Sequence, residues 1–249
     1  MKVFRNIRKK LVASGKVKNY LVYALGEILL IVIGILIAWK INDLNEIRKN
    51  KIVQVKIYES LYEELHTNLS VLDSAIVRYN NNILNLQSSL KYVGQQPDDL
   101  SQEVKDLIIQ IKFRNSNLRN EALSSINSSN KFQFLKNDAL TELIAQYPTE
   151  LNTYKVQETK IGNIVENRLK PVLEKHISLV DVLPGENANY QQIKTFGQAS
   201  KYADLLNSRE YQNTVIDQLL QSQIQLSLGK KLRKKTETLA IKLKQELKG

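Results

Sequence analysis

The longest apolar stretch of the chain lies near its N-terminus. From Tyr20 to Ile41 the ionisable side chains are those of Glu27 and Lys40, apart from two tyrosines. At about 1.5 Å per residue, about 20 helical residues cross about 30 Å of hydrocarbon. The pattern therefore predicts one transmembrane helix over residues 20–41. It would divide the chain into a segment 1–19, the membrane helix and an outer domain 42–249.

Beyond this stretch, apolar residues alternate at intervals of three and four, which is typical of one face of a helix. Between Gly34 and Gly94 there is no glycine or proline, and the apolar positions form unbroken heptads. These positions are Val55, Tyr58, Tyr62, Leu65, Leu69, Leu72, Ile76, Tyr79, Ile83, Leu86, Leu90 and Val93. We predict one long helix from the membrane to about Val93, with a coiled-coil-like seam.

Three more helical regions follow. Counting the first, four helical regions are expected, near residues 42–93, 101–128, 138–180 and 208–247, with a polar break at residues 114–120 and bends at Pro148 and Pro171. Asp98, Asp99 and Ser101, then Asn137 or Asp138, and Asn207 or Ser208, are candidate N-caps. We see no strand pattern, so the predicted fold class is all-α: a transmembrane helix followed by an elongated antiparallel bundle.

The flanks of the apolar stretch predict its orientation. Tyr20 and Tyr23 at one end and Trp39 at the other are amphipathic rings of the kind that lie at membrane interfaces. Seven basic and no acidic residues precede the stretch, forming a basic amphipathic segment over 1–19. This bias predicts a cytoplasmic N-terminus and a periplasmic C-terminal domain at an inner membrane. A cleaved signal peptide is the alternative, but Ala38 has Leu36, not a small residue, two positions before it.

Small residues recur on one face of the predicted membrane helix. Gly26, Leu30, Gly34 and Ala38 are four residues apart, and such stripes allow close helix–helix approach. They predict self-association or contact with another membrane protein; the alternative is a chance recurrence in a span rich in isoleucine, leucine and glycine. Glu27 lies beside this stripe; it either reaches the cytoplasmic interface or forms part of an ion pathway.

Charge and motifs exclude several classes of function. The net charge of +11 is concentrated at the two termini, and residues 230–249 carry eight basic against two acidic residues. This distribution suits anionic headgroups, and no basic groove with interleaved aromatics predicts nucleic-acid binding. The chain has no cysteine, and its two histidines, His66 and His176, have no ligand or base at suitable spacing. We predict no enzyme activity, no cofactor or metal, and no small-molecule substrate.

The N-terminal motifs resemble those of a known family. The segment from Phe4 to Arg8, the motif Tyr20-Leu-x-Tyr-Ala-x-Gly-Glu-Ile28 and the run Val32-Ile-Gly-Ile-Leu-Ile-Ala38 are similar to the signature of an uncharacterised membrane-protein family of Bacteroidota. The segments Leu123–Asn127 and Phe134–Leu140 resemble patterns further along in the same family. The resemblance implies a single-span anchor with a helical outer domain. It implies no activity, because the function of that family is unknown.

Two hypotheses about function follow from the sequence. The first is a membrane-anchored helical scaffold or sensor-like protein whose partners are the lipid bilayer and other protein chains. The alternative is a single-span subunit of an ion-coupled membrane complex that uses Glu27 in the span.

Overall fold

The computed structural model describes residues 9, 17–95, 100–109, 113–129, 131–183, 190, 193 and 197–248, and every regular element among them is helical. The all-α prediction is therefore confirmed. The chain divides into two compact units, Met1–Lys56 and Ile57–Gly249. One helix, α1 (Val17–Leu90), runs through the border between them. The predicted limits of the membrane span, residues 20 and 41, are defined by a bilayer and not by the ends of a helix. They therefore stay a prediction.

In the first unit, α1 exposes its apolar side chains. Its most apolar 18-residue window has a mean hydropathy of 2.7, and none of that window is buried inside the protein. Ile31, Ile35 and Ile37 are each more than half exposed. The helix continues past the predicted start and end of the span without a break, since no glycine or proline follows Gly34 until Gly94.

The second unit contains six further helices whose bounds lie within the described residues. These are α2 (Gln102–Ile109), α3 (Glu121–Ser128), α4 (Asp138–Ile164), α5 (Lys170–His176), α6 (Tyr202–Asn207) and α7 (Arg209–Lys248). Short 3-10 turns cover Lys131–Phe134 and Leu179–Val182. The polar break expected at residues 114–120 within the region 101–128 is present, because α2 and α3 are two short helices and residues 113–120 have no regular structure.

Side-chain caps begin two of the longer helices at predicted positions. The Asn137 side chain accepts a hydrogen bond from the Leu140 N–H (3.0 Å), so Asn137 and not Asp138 is the N-cap of α4. Before α7, the Ser208 hydroxyl accepts a longer bond from the Tyr211 N–H (3.5 Å). The candidate caps Asp98 and Asp99 lie outside the described residues.

A single π-helical turn, Val165–Leu169, joins α4 to α5. The Lys170 N–H donates to the Val165 carbonyl, five residues back, and the next residue, Pro171, has no N–H to donate. The loss of this donor explains why the regular ladder is interrupted here. A π-helical turn thus lies directly before Pro171, where the sequence predicts a bend. Pro148, in contrast, lies within α4.

Two of the three long helices of the second unit run parallel, and the third runs antiparallel to them. Tyr79 on α1 contacts Glu158 on α4, while Leu86 shares an apolar cluster with Leu169, so these two helices run parallel. Asp73 pairs with Arg233 at 2.6 Å, and Leu86 also lies in a cluster with Tyr211, so α7 runs antiparallel to α1. The core of the bundle lies between α1, α4 and α7.

The buried face of α1 differs from the predicted seam. Leu65, Leu72, Tyr79 and other expected positions are buried, but Tyr62, Leu69 and Ile76 are only half-buried. Their preceding neighbours Leu61, Asn68 and Ala75 are fully buried instead. The face is rotated by one residue at these turns, because Ala75 is small enough for close packing and Asn68 bonds to the backbone of another segment.

Candidate functional site

The residues predicted for membrane contact all lie on α1 in the first unit. A Cβ atom added at Gly26 or Gly34 would meet nothing within 4 Å, and Ala38 is exposed, so the small-residue face is open. Glu27 is half-buried beside it. The structure thus leaves the stripe uncovered by the described part of the chain.

The predicted interface anchors are also on α1. Trp39 is 65% exposed and Tyr23 is half-buried. Tyr20 lies within the helix, and its side chain is outside the described set. Their interfacial role depends on a membrane and stays a prediction.

In the second unit, the centre of the bundle holds a carboxylate. Glu158 on α4 is only 1% exposed. One of its oxygens accepts hydrogen bonds from the Tyr79 hydroxyl (3.0 Å), the Ser116 N–H (3.1 Å) and the Ser116 hydroxyl. The Ser116 hydroxyl also lies 2.9 Å from the Tyr154 hydroxyl. Donors from two parts of the chain, α1 and the segment 113–120, therefore compensate for the burial of this acid.

The same network keeps its tyrosines protonated. Burial, followed by the nearby Glu158 carboxylate, raises the pKa of Tyr79 far above its usual value. Burial and Glu158 also raise the pKa of Tyr154 to about 12. Both phenols are neutral donors at physiological pH, and the Glu158 oxygen that they surround is already occupied by internal donors. Hydrogen bonds of this kind hold segments of the fold together, whereas proton transfer would need an oxygen that a substrate can reach.

A second acid fastens the neighbouring helix α3. The Glu64 carboxylate accepts from the Ala122 N–H (2.7 Å) and the Leu123 N–H (3.4 Å), so it caps the N-terminus of α3 from α1. One turn further along α1, the Asn68 amide bonds both the N–H and the carbonyl of Arg119, each at 2.9 Å. Together with Glu158, these side chains hold residues 113–123 against the bundle.

An open groove of about 590 Å³ lies next to this cap and is lined by polar side chains, among them Glu63, His66, Arg119 and Glu121. The ring centroids of His66 and Tyr62 are 6.0 Å apart. Among the described residues, no group of three or more His, Asp or Glu could hold a metal ion. The predicted absence of a metal and of catalysis stays a prediction.

The buried face of α7 is unusually polar. Thr214, Gln218, Ser222, Gln225 and Thr236 are all at most 1% exposed. Two of them have partners on α4: Thr236 bonds the Tyr147 hydroxyl (2.7 Å), and the Gln225 amide donates to the Tyr154 carbonyl (3.3 Å). The side chains of Gln218 and Ser222 have no hydrogen-bond partner within the described parts of the chain.

These buried polar residues were not predicted from the sequence. Glu158 carries a usable signal, because it occupies the apolar face of α4 between Tyr154 and Ile161 at helical spacing. Ser116 carries none, since it lies in a polar break and its bond to Glu158 joins residues 42 positions apart. Comparison with known proteins adds nothing: no family model, curated protein or solved structure matches this chain.

Proposed function

We propose that this chain is a single-span membrane protein whose helical outer part acts as a scaffold or sensor-like interaction module. One observation carries the proposal: the apolar N-terminal part of α1 buries none of its most hydrophobic window inside the protein, whereas residues 57–249 form a core of their own. Two kinds of surface are thus present on one continuous helix.

The exposed apolar surface supports a lipid environment. Fully burying a leucine or isoleucine side chain is worth about 1.5–3 kcal/mol relative to leaving it in water. Ten such side chains between Leu21 and Ile41 are more than half exposed. Monomeric soluble proteins rarely expose a continuous apolar patch of this kind, and a bilayer would cover it.

The charge around the span supports the proposed orientation. The N-terminal 19 residues carry seven basic side chains, which favours a cytoplasmic N-terminus at an inner membrane and an outer domain on the periplasmic side. The partners would then be the lipid bilayer and other protein chains, reached through the open small-residue face at Gly26, Gly34 and Ala38. No substrate, nucleic acid or cofactor is part of this proposal.

Cysteine crosslinking tests the interaction role, and the natural chain has no cysteine to interfere. Ala38→Cys places a thiol on the small-residue face, and Leu36→Cys places one at nearly the same depth on the opposite face, since two residues are about 200° apart on a helix. Oxidation in native membranes should give a disulfide-linked dimer, or a link to a partner, for Ala38→Cys and not for Leu36→Cys. Recovery of monomer alone for both variants at all expression levels would contradict the proposal.

A second candidate, an ion-coupled subunit, is favoured by one observation: Glu27 is an ionisable residue within the apolar part of α1. In this case Glu27→Gln should abolish the cellular phenotype while insertion into the membrane is kept. Wild-type behaviour of both Glu27→Gln and Glu27→Ala would exclude this function.

A further inference from the structure

A groove of about 360 Å³ lies on the surface of the second unit, between α4 and α7. Its volume falls within the range of small-molecule sites, which are typically concave, mostly apolar and equipped with a few polar groups. Side chains of both helices line it.

The floor of this groove is apolar and fixed in place. Tyr147 and Leu239 are 3% and 2% exposed, and Leu143, one turn before Tyr147 on α4, is half-buried. The Tyr147 hydroxyl is engaged with Thr236 at 2.7 Å. Its polar atom therefore has a partner within the bundle. The groove is preformed, so a ligand would not have to order it.

The rim of the groove is basic. Three lysines of α7 stand along it against a single acid, Glu150 of α4. Glu150 binds Lys231 at 3.4 Å and Lys235 at a shorter distance, and the hydrogen bond from Lys235 lowers its pKa, so it is ionised at neutral pH. Lys234 has no ion pair among the described residues. The rim thus keeps a net positive charge, and Glu150 holds two of its ammonium groups in position.

We propose that this groove binds a single-chain anionic amphiphile, such as a long-chain carboxylate, with its head among the lysines and its first carbons on the Leu143, Tyr147 and Leu239 floor. The sign of the rim selects an anion, and the combination of a narrow apolar floor with a charged edge selects an amphiphile over a simple ion. The site lies wholly within the second unit. Its occupancy is therefore independent of whether residues 20–41 span a membrane.

Photolabelling of the full chain tests this proposal. A diazirine-bearing dodecanoate is photolysed with the protein in zwitterionic lipid nanodiscs, and the adducts are mapped by peptide mass spectrometry. We expect adducts within residues 143–150 and 231–239, with competition by excess dodecanoate and little by dodecyltrimethylammonium, which has the same chain length and the opposite charge. The double variant Lys231→Gln/Lys234→Gln should reduce labelling there by about three- to tenfold, as expected for two partly exposed ion pairs.

The matched control is Lys230→Gln/Lys244→Gln, which removes the same charge from the same helix at residues that do not line the groove. It should label like the wild type. Equal labelling of the groove variant and the wild type, equal loss in the control, or equal competition by the cationic detergent would overturn the proposal. Competition by an acidic helical peptide and not by dodecanoate would also overturn it, in favour of a protein partner.

Discussion

Replacing Glu158 tests whether the buried carboxylate holds the bundle together. In Glu158→Leu the side chain keeps a similar size, but its hydrogen-bond acceptor is lost. The Tyr79 hydroxyl, the Ser116 N–H and the Ser116 hydroxyl would then lose the oxygen that accepts from them. Because all three lie in the buried interior, they cannot turn to bulk water without opening the structure.

The expected cost follows from these three donors. Each buried donor left without a partner costs about 1–3 kcal/mol. The Ser116 hydroxyl can still bond Tyr154, which lies 2.9 Å away, so the lower part of the range applies and the total is about 3–5 kcal/mol. For a domain of this size, each kcal/mol lowers Tm by about 2–4 °C, which gives a fall of about 6–20 °C.

Thermal unfolding of the full chain, followed by circular dichroism, measures this cost, and hydrogen exchange at residues 113–120 locates it. Glu158→Gln keeps an acceptor and should cost clearly less. Glu166→Leu is the matched control on an exposed residue whose contact to Lys170 is 3.7 Å long, and it should change stability by less than about 0.5 kcal/mol. A Glu158→Leu protein that melts within about 2 °C of the wild type would refute this reasoning.

Three further changes test the packing of the second unit. Burial raises the pKa of Glu64 above 4.5 in the folded state, so its contribution to stability is largest at low pH and is lost as pH rises through the folded pKa. The Tm of the wild type relative to Glu64→Gln should therefore fall from about pH 4 to about pH 7, and a rise would contradict this sign. Gly162→Ala places a Cβ 3.1 Å from the half-buried Phe113 ring, which can move, so the gain in helix propensity should raise stability by up to about 1 kcal/mol in urea unfolding. Ser222→Ala removes a buried hydroxyl that has no partner among the described residues and should raise Tm; a fall would show that the hydroxyl is bonded.

The helical class of this fold could be predicted from sequence because its signals are local. Helical periodicity and scarce glycine and proline predict helices wherever they occur, and Asn137 and Ser208 mark two starts. The extent of α1 was predicted in the same way: the absence of glycine and proline between Gly34 and Gly94 indicated one helix to about Val93, and the helix is Val17–Leu90.

The rotation of the core face could not be predicted from hydropathy alone. A count of apolar residues places Leu69 and Ile76 in the seam, whereas the structure buries Asn68 and Ala75. Asn68 is buried because its amide matches the backbone of Arg119, which is 51 residues away. Such pairings depend on tertiary contacts, which a single sequence does not display.

The groove between α4 and α7 illustrates the same limit. The lysines at 231, 234 and 235 are evident in the sequence as a basic cluster. Their position over Leu143 and next to Glu150 depends on the register of two helices about 85 residues apart, which the ion pair between Lys235 and Glu150 reveals.

The central claim is that residues 20–41 cross a membrane with the N-terminus inside, and cysteine labelling tests it most directly. Lys9→Cys and Lys51→Cys each introduce a single thiol into a chain that has none, one before and one after the apolar part of α1. In intact spheroplasts, a membrane-impermeant maleimide should label Lys51→Cys at once and Lys9→Cys only after lysis, with both proteins retained in the membrane by alkaline extraction. Labelling of Lys9→Cys in intact cells, or release of either protein from the membrane, would contradict the account.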